Sequence, residues 1–223
     1  MKSYSGRSPR FGSVVFDFDY TLADSSAGVI ECVNFALEHV GLTARDPDAI
    51  RATIGISLAD TYRSLTGDSD AARSAEFERI FAERGDEVML QGIRLFDTVK
   101  PTVEALSAAG LSLGIVSTKY RRRIEAVLKR DGLERAFAVV IGGDDVQAHK
   151  PDPAGLEAAL TALQMAPSEA LYVGDSTVDA ETARRAGVPF VAVLSGVTPR
   201  EAFSSFELEA FLDDLSSLPG LLL

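Results

Sequence analysis

The chain has one cysteine in 223 residues, fewer bases than acids, and no uninterrupted run of about 18 apolar residues. Each shortage excludes something. A lone Cys32 cannot close a disulfide within the chain, and its apolar, helically spaced surroundings predict a small buried hydrophobe. Without a long apolar run, no helix is expected to span a membrane. The 22 Lys and Arg against 33 Asp and Glu leave a formal net charge of −11. A surface of that sign suits neither nucleic-acid phosphates nor anionic lipid. Residues 1–10 carry bases but no apolar signal-peptide core, so they are expected to be a flexible leader on a cytoplasmic protein. No internal repeat or low-complexity segment is present. The remainder, 46% apolar and 25% charged, has the composition of an ordinary globular protein.

The chain is organised around Val14-Val15-Phe16-Asp17-Phe18-Asp19-Tyr20-Thr21-Leu22. The apolar run is too short for a buried helix and reads as a strand that delivers two carboxylates and then a hydroxyl. Side chains two apart on a strand share a face, so Asp17 and Asp19 leave it pointing the same way. Carboxylates this close repel unless a cation or a shared proton compensates, and burial raises that cost. Mg²⁺ suits such a strand end, because it takes one or two carboxylates and completes its shell with waters and phosphate oxygens. A turn with solvated acids is the plain alternative.

Helical spacing follows at once. Ile30, Val33, Leu37 and Val40 predict one helix, with Gly41 behind it. Leu58, Thr61, Tyr62 and Leu65 predict a second that ends near Gly67, and Phe77, Ile80, Phe81, Arg84 and Val88 a third. No strand is expected from about Asp24 to Gly92. Residues 24–92 therefore read as an inserted helical module in an α/β core made of 1–23 and 93–223. From Asp97 onward, strands at 111–116, 138–141, 170–173 and 190–193 (the last expected) alternate with helices. Those helices run through Val103 and Leu106, from Tyr120 to Asp131, from Asp152-Pro153 through Leu163, and from Val178 to Ala186. Apolar strands between amphipathic helices mean a Rossmann-like parallel sheet covered by helices on both faces. Ligands of such sheets bind outside the carboxyl ends of the strands.

That rule singles out three more strand ends. Ser117-Thr118-Lys119 offers hydroxyls and free backbone N–H groups at a helix start, which is either an anion site or an ordinary cap. Lys150, fixed ahead of Pro151, supplies a point charge to a phosphate or is a loop lysine, and His149 beside it is expected to have no role. Gly174-Asp175-Ser176-Thr177-Val178-Asp179 brings two more acids, one helical turn apart, to the same sheet edge.

In this order, Asp-x-Asp-x-Thr, Ser-Thr, Lys-Pro and Gly-Asp-x-x-x-Asp resemble the haloacid dehalogenase (HAD) superfamily of phosphohydrolases over nearly the whole chain. The helical insert falls where that superfamily carries its C1-type cap domain. Ile54-Gly55-Ile56-Ser57-Leu58 and Ser195-Gly196-Val197-Thr198 resemble its phosphoglycolate phosphatase and pyrophosphatase branch. Tyr20 departs from that branch, which usually has glycine there, and so does Thr118, where asparagine or serine is common. The resemblance implies that Asp17 is a nucleophile forming an aspartyl phosphate, and that Asp19 is general acid and then general base. It implies Mg²⁺ held by Asp17, the Asp19 carbonyl and Asp175, with Asp179 supporting them. Ser117, Thr118 and Lys150 would hold the phosphoryl oxygens. The superfamily's phosphonatases lack an acid at the Asp19 position, and its dehalogenases need neither Mg²⁺ nor this acid arrangement, so a phosphate ester or anhydride is the implied substrate.

A cap would close over the site and read the rest of a small phosphorylated metabolite. Arg45, Arg51 and Arg63 are candidate readers, since a second anionic group suits a guanidinium fork; each also reads as a solvated helix charge. Lys119 and Arg121-Arg122-Arg123 could raise the local potential, or form an exposed helix face. Two other readings use the same residues. One is a phosphosugar mutase of the β-phosphoglucomutase type. The other is a phospho-accepting, receiver-like signalling domain, against which the insert and Asp19 speak. No nucleic acid or membrane partner is expected, and both monomer and homodimer fit the sequence.

Overall fold

The computed structural model describes residues 10–223; the expected leader, apart from Arg10, lies outside them. Strand β1 (Ser13–Phe16) is followed by the short β2 (Ala23–Asp24) and then by helices α1 (Ser26–His39), α2 (Pro47–Arg51), α3 (Leu58–Thr66) and α4 (Ala71–Gly92). Strand β3 (Arg94–Leu95) pairs antiparallel with β2, with Ala23 opposite Leu95. The chain thus departs for the helical segment and returns from it along one two-stranded ribbon. Next come α5 (Val99–Ala108), β4 (Ser112–Val116), α6 (Arg121–Arg130), β5 (Val139–Ile141) and α7 (Ala154–Leu163). The chain closes with β6 (Ala170–Gly174), α8 (Thr177–Ala186), β7 (Phe190–Val193), β8 (Ala210–Leu212) and α9 (Leu218–Leu222).

Six strands form one parallel sheet in the order β5-β4-β1-β6-β7-β8. With β4 on one side of β1 and β6 on the other, strand order reverses at β1, and a crevice opens at the carboxyl ends there. Asp17 is the first residue beyond β1. The period-two alternation of strands divides the core. Val14, Phe16, Leu113, Ile115, Leu171 and Val173 pack on the face that carries α5 and α6. Val15, Tyr172 and Ala192 pack on the face covered by α7 and α8. Burial on both faces is why these strands read as continuous apolar runs.

Local signals set the helix ends. Ser57 accepts from the Asp60 N–H to open α3, and Gly67, at φ +72°, closes it. Asp70 accepts from the Ala72 and Arg73 N–H groups at the start of α4. Three sequence expectations shift. β8 extends the sheet past β7; it has three residues flanked by Glu209, Asp213 and Asp214, too short to show a periodicity. α2 has five residues with Pro47 in its first turn, again below the reach of a 3.6-residue pattern. α7 begins at Ala154, although the Asp152 carboxylate does accept from the Ala154 N–H. Cys32 is fully buried in the core. Among the described residues no helix is long and apolar enough to cross a membrane.

Candidate active site

Adjacent parallel strands bring the acids together. Asp17 follows β1, Asp175 follows β6, and Asp179 stands in the first turn of α8. The absence of a side chain at Gly174 allows the last placement, since a Cβ there would lie 2.6 Å from the Asp179 Cβ. Asp17, Asp175 and Asp179 are all buried, and each offers an oxygen within 4.8 Å of the others. Lys150 Nζ lies 2.7 Å from Asp17 Oδ1 and 2.6 Å from Asp179 Oδ1. Asp179 Oδ1 also accepts from the Tyr172 hydroxyl at 3.0 Å, and its Oδ2 accepts from the Ser176 hydroxyl at 2.5 Å. Both Asp179 oxygens are therefore committed within the protein. Asp175 Oδ1 has a long contact, 3.5 Å, from the buried Thr21 hydroxyl.

Burial pushes the Asp17 carboxyl up to about 7; the charges of Asp179 and Asp19 add to this, while Lys150 opposes it. Burial likewise raises Asp175, with the charges of Asp179 and Asp17 adding to it. At Lys150 burial acts to remove the proton, but Asp17 and Asp179 outweigh it and hold the ammonium above its ordinary range. One ammonium among three buried carboxylates leaves a deficit of positive charge. These hard oxygen donors, crowded and short of a counter-charge, fit a divalent cation.

Asp19 sits on the other side of Asp17. Its Oδ1 accepts from the Ser25 hydroxyl at 2.6 Å and lies 3.1 Å from Lys119 Nζ. Ser117 is buried, and its Oγ accepts from the Lys119 N–H at 3.3 Å. The Thr118 hydroxyl reaches across to the helical segment and donates to the Gly55 carbonyl at 3.3 Å. Tyr20 has φ +60°, in the left-handed region that disfavours a residue with a Cβ by roughly 1–2 kcal/mol. That backbone explains why glycine is common at this place, and the Ser195 hydroxyl holds it by donating to the Tyr20 carbonyl at 2.5 Å.

Beside Asp19, a cavity of about 60 Å³ opens between residues 118–120 and the helical segment. Arg45, Arg51 and Arg63 do not line it. Arg45 donates to the Leu65 carbonyl and the Thr43 hydroxyl, so it ties two parts of the helical segment together. Arg51 and Arg63 each pair with an acid three residues earlier, Asp48 and Asp60, on the surface. Arg121 is half-buried and pairs with Asp145, Arg122 is exposed, and Arg123 is buried and donates to the Ala82 carbonyl and Asp86 of α4. His149 is an exposed loop residue. Sequence reading noted the Thr21 hydroxyl only as part of Asp-x-Asp-x-Thr and gave no role to Ser25 or Tyr172. Of these two, Ser25, just ahead of a helix, carried a local signal.

Comparison with known proteins agrees with this geometry. Residues 14–193 match the haloacid dehalogenase-like hydrolase family. The chain is 32% identical over 209 residues to a phosphoglycolate phosphatase from Yersinia pestis, covering 92% of this chain and 90% of that one. It is 31% identical to the pyrophosphatase PpaX of Bacillus mycoides, covering 94% and 95%. A crystal structure of a haloacid dehalogenase-like hydrolase from Bacteroides fragilis superposes with a TM-score of 0.91 at 41% identity, covering 93% of this chain and 99% of that one. The chain belongs to the haloacid dehalogenase-like hydrolases and is an enzyme of that family's phosphatase class.

Proposed function

We propose that the protein hydrolyses a small phosphate monoester of the phosphoglycolate kind, or pyrophosphate, through an aspartyl phosphate on Asp17, as a cytoplasmic Mg²⁺-dependent enzyme. The observation that carries this reading is the position of Asp19, beside the cavity that a leaving group would fill, with Asp17 and Lys150 next to it. Asp17 attacks phosphorus as the ester P–O bond breaks, and the electron pair stays on the leaving oxygen, which takes a proton from Asp19. Water then attacks the phosphoryl group on Asp17 and gives its proton to Asp19, and phosphate departs. Ser117, Thr118 and Lys150 hold the phosphoryl oxygens. Mg²⁺ would be held by Asp17, the Asp19 carbonyl and Asp175, with Asp179 orienting them, and would offset the charge of the phosphoryl group.

Residues 24–92 act as the cap in this reading, over a core of 1–23 and 93–223. The enclosing helices and Asp19 argue against a receiver, whose phosphoryl group must persist. The test is phosphate release from a panel of small phosphoesters and pyrophosphate, with Mg²⁺ and with chelator, beside an Asp17→Asn protein. Metal-dependent release that the substitution abolishes supports the reading, and release by the Asp17→Asn protein at the parent rate would overturn it.

A further inference from the structure

We propose that Lys119 determines specificity: its ammonium reads a second anionic group, a carboxylate or a phosphate, that the substrate carries close to its ester oxygen. The proposal rests on the phosphatase reading above and adds which esters are preferred. Lys119 directly follows Ser117 and Thr118, yet its side chain is only 5% exposed. An ammonium has three N–H donors. Among the described residues, Asp19 is the one carboxylate within ion-pair distance of Nζ. Lys150, buried as deeply, meets two carboxylates and the Tyr172 hydroxyl. A buried cation so lightly paired is costly, and an incoming anion relieves that cost.

The cavity supplies the room. Its walls include Asp19, Lys119 and, of the proposed phosphoryl-holding residues, Thr118 alone, with none of Asp17, Ser117 or Lys150, so it lies toward the leaving group. Asp19 and Lys119 stand together on its wall. Arg123 is the other cation on the wall, and it is spent. It donates to the Ala82 carbonyl at 2.7 Å and to Asp86 at 3.0 Å, and it lies over the Phe81 and Tyr120 rings. The helical segment contributes mainly apolar walls such as Ile54, Ile56 and Leu58. An anion entering this space finds its counter-charge at Lys119, placed to touch Asp19 and the ligand together. The plain alternative is that Lys119 serves only to hold Asp19, in which case every substrate would suffer alike from its loss.

The experiment compares kcat/KM for 2-phosphoglycolate and pyrophosphate with that for 2-hydroxyethyl phosphate, a neutral-tailed ester of nearly the same size, in parent and Lys119→Met enzymes. Loss of one charge-assisted hydrogen bond predicts a fall of roughly 10- to 150-fold for the anionic substrates. Because Lys119 also pairs with Asp19, the neutral ester reports what that pair alone contributes, and the ratio of anionic to neutral kcat/KM should fall by that factor. A fall confined to pyrophosphate assigns the second anion as phosphate, and one confined to phosphoglycolate as carboxylate. Equal loss on the neutral ester, or no loss on either anionic substrate, overturns the proposal. Thermal melts check folding, with Lys119→Gln as the second variant. Should the parent release no phosphate from any of the three, the phosphatase reading fails. Equilibrium binding of the same compounds to Asp17→Asn proteins, with and without Lys119→Met, still decides the role of Lys119: unchanged preference for the anionic compounds overturns it.

Discussion

A Cβ added at Gly196 would stand 1.9 Å from Asp175 Oδ2, inside any allowed contact, so the loop after β7 approaches this carboxylate as bare backbone. Gly196→Ala should therefore displace Asp175 while leaving the sheet intact. We expect phosphate release to fall about 100-fold, the scale of a misplaced active-site group. The rise in Tm on adding Mg²⁺ should shrink with it. Parent-like kinetics and an unchanged metal response would show that Asp175 tolerates the move.

The second prediction concerns the grip between α6 and α4. Asp86 accepts from Arg122 at 2.7 Å and from the buried Arg123 at 3.0 Å. Its own side chain is half exposed, so solvent weakens both pairs. Asp86→Ala should cost only about 1 kcal/mol of stability. Because Arg123 lines the cavity, the looser contact should raise KM severalfold, read from steady-state kinetics beside a melt. A KM equal to the parent's contradicts it.

Much of this architecture was legible in the sequence. The apolar runs of β1, β4, β6 and β7 read as buried strands, and Asp17, Asp19 and Asp175 fall just past strand ends, while Lys150 comes nine residues beyond β5. The hidden parts are those set by non-local pairing. β8 has too few residues for a pattern, and the β2–β3 ribbon exists only because two distant dipeptides meet. The Lys119–Asp19 pair crosses from one strand end to the next, and no spacing rule connects residues a hundred positions apart. The same holds for Gly196 and Asp175, and for the commitment of Arg45 to carbonyl oxygens within the helical segment.

The third prediction is a pH dependence of stability in chelator. The folded protein holds the Asp17 carboxyl at about 7, against about 3.9 for an unperturbed aspartate. Between these values the native state binds more protons than the unfolded state, so stability falls as pH rises through that window. Mg²⁺ favours the ionised carboxylates, so its stabilising effect should grow over the same range. Melts from about pH 5 to 8, with chelator and with Mg²⁺, check the sign. Asp17→Asn should flatten the chelator curve, and a chelated parent that gains stability toward pH 7 contradicts this assignment.

Cys32 gives a fourth. It is fully buried, and burial pushes its thiol up to about 11. The thiolate is the reactive form, so the native protein should resist thiol reagents at neutral pH and react at once when unfolded. Rapid labelling of the native protein would mean that α1 opens far more often than its packing implies.

The most direct test of the account is whether Asp17 carries the phosphoryl group. Asp19→Asn removes the base that activates water but leaves the nucleophile, and acetyl phosphate has a small leaving group that needs little protonation. Acid quenching of that protein with acetyl phosphate and Mg²⁺, followed by peptide mass measurement, should find one added phosphoryl group on Asp17, removable by hydroxylamine. Phosphate release at the parent rate with no modified peptide, or a phosphoryl group on any other residue, contradicts the account.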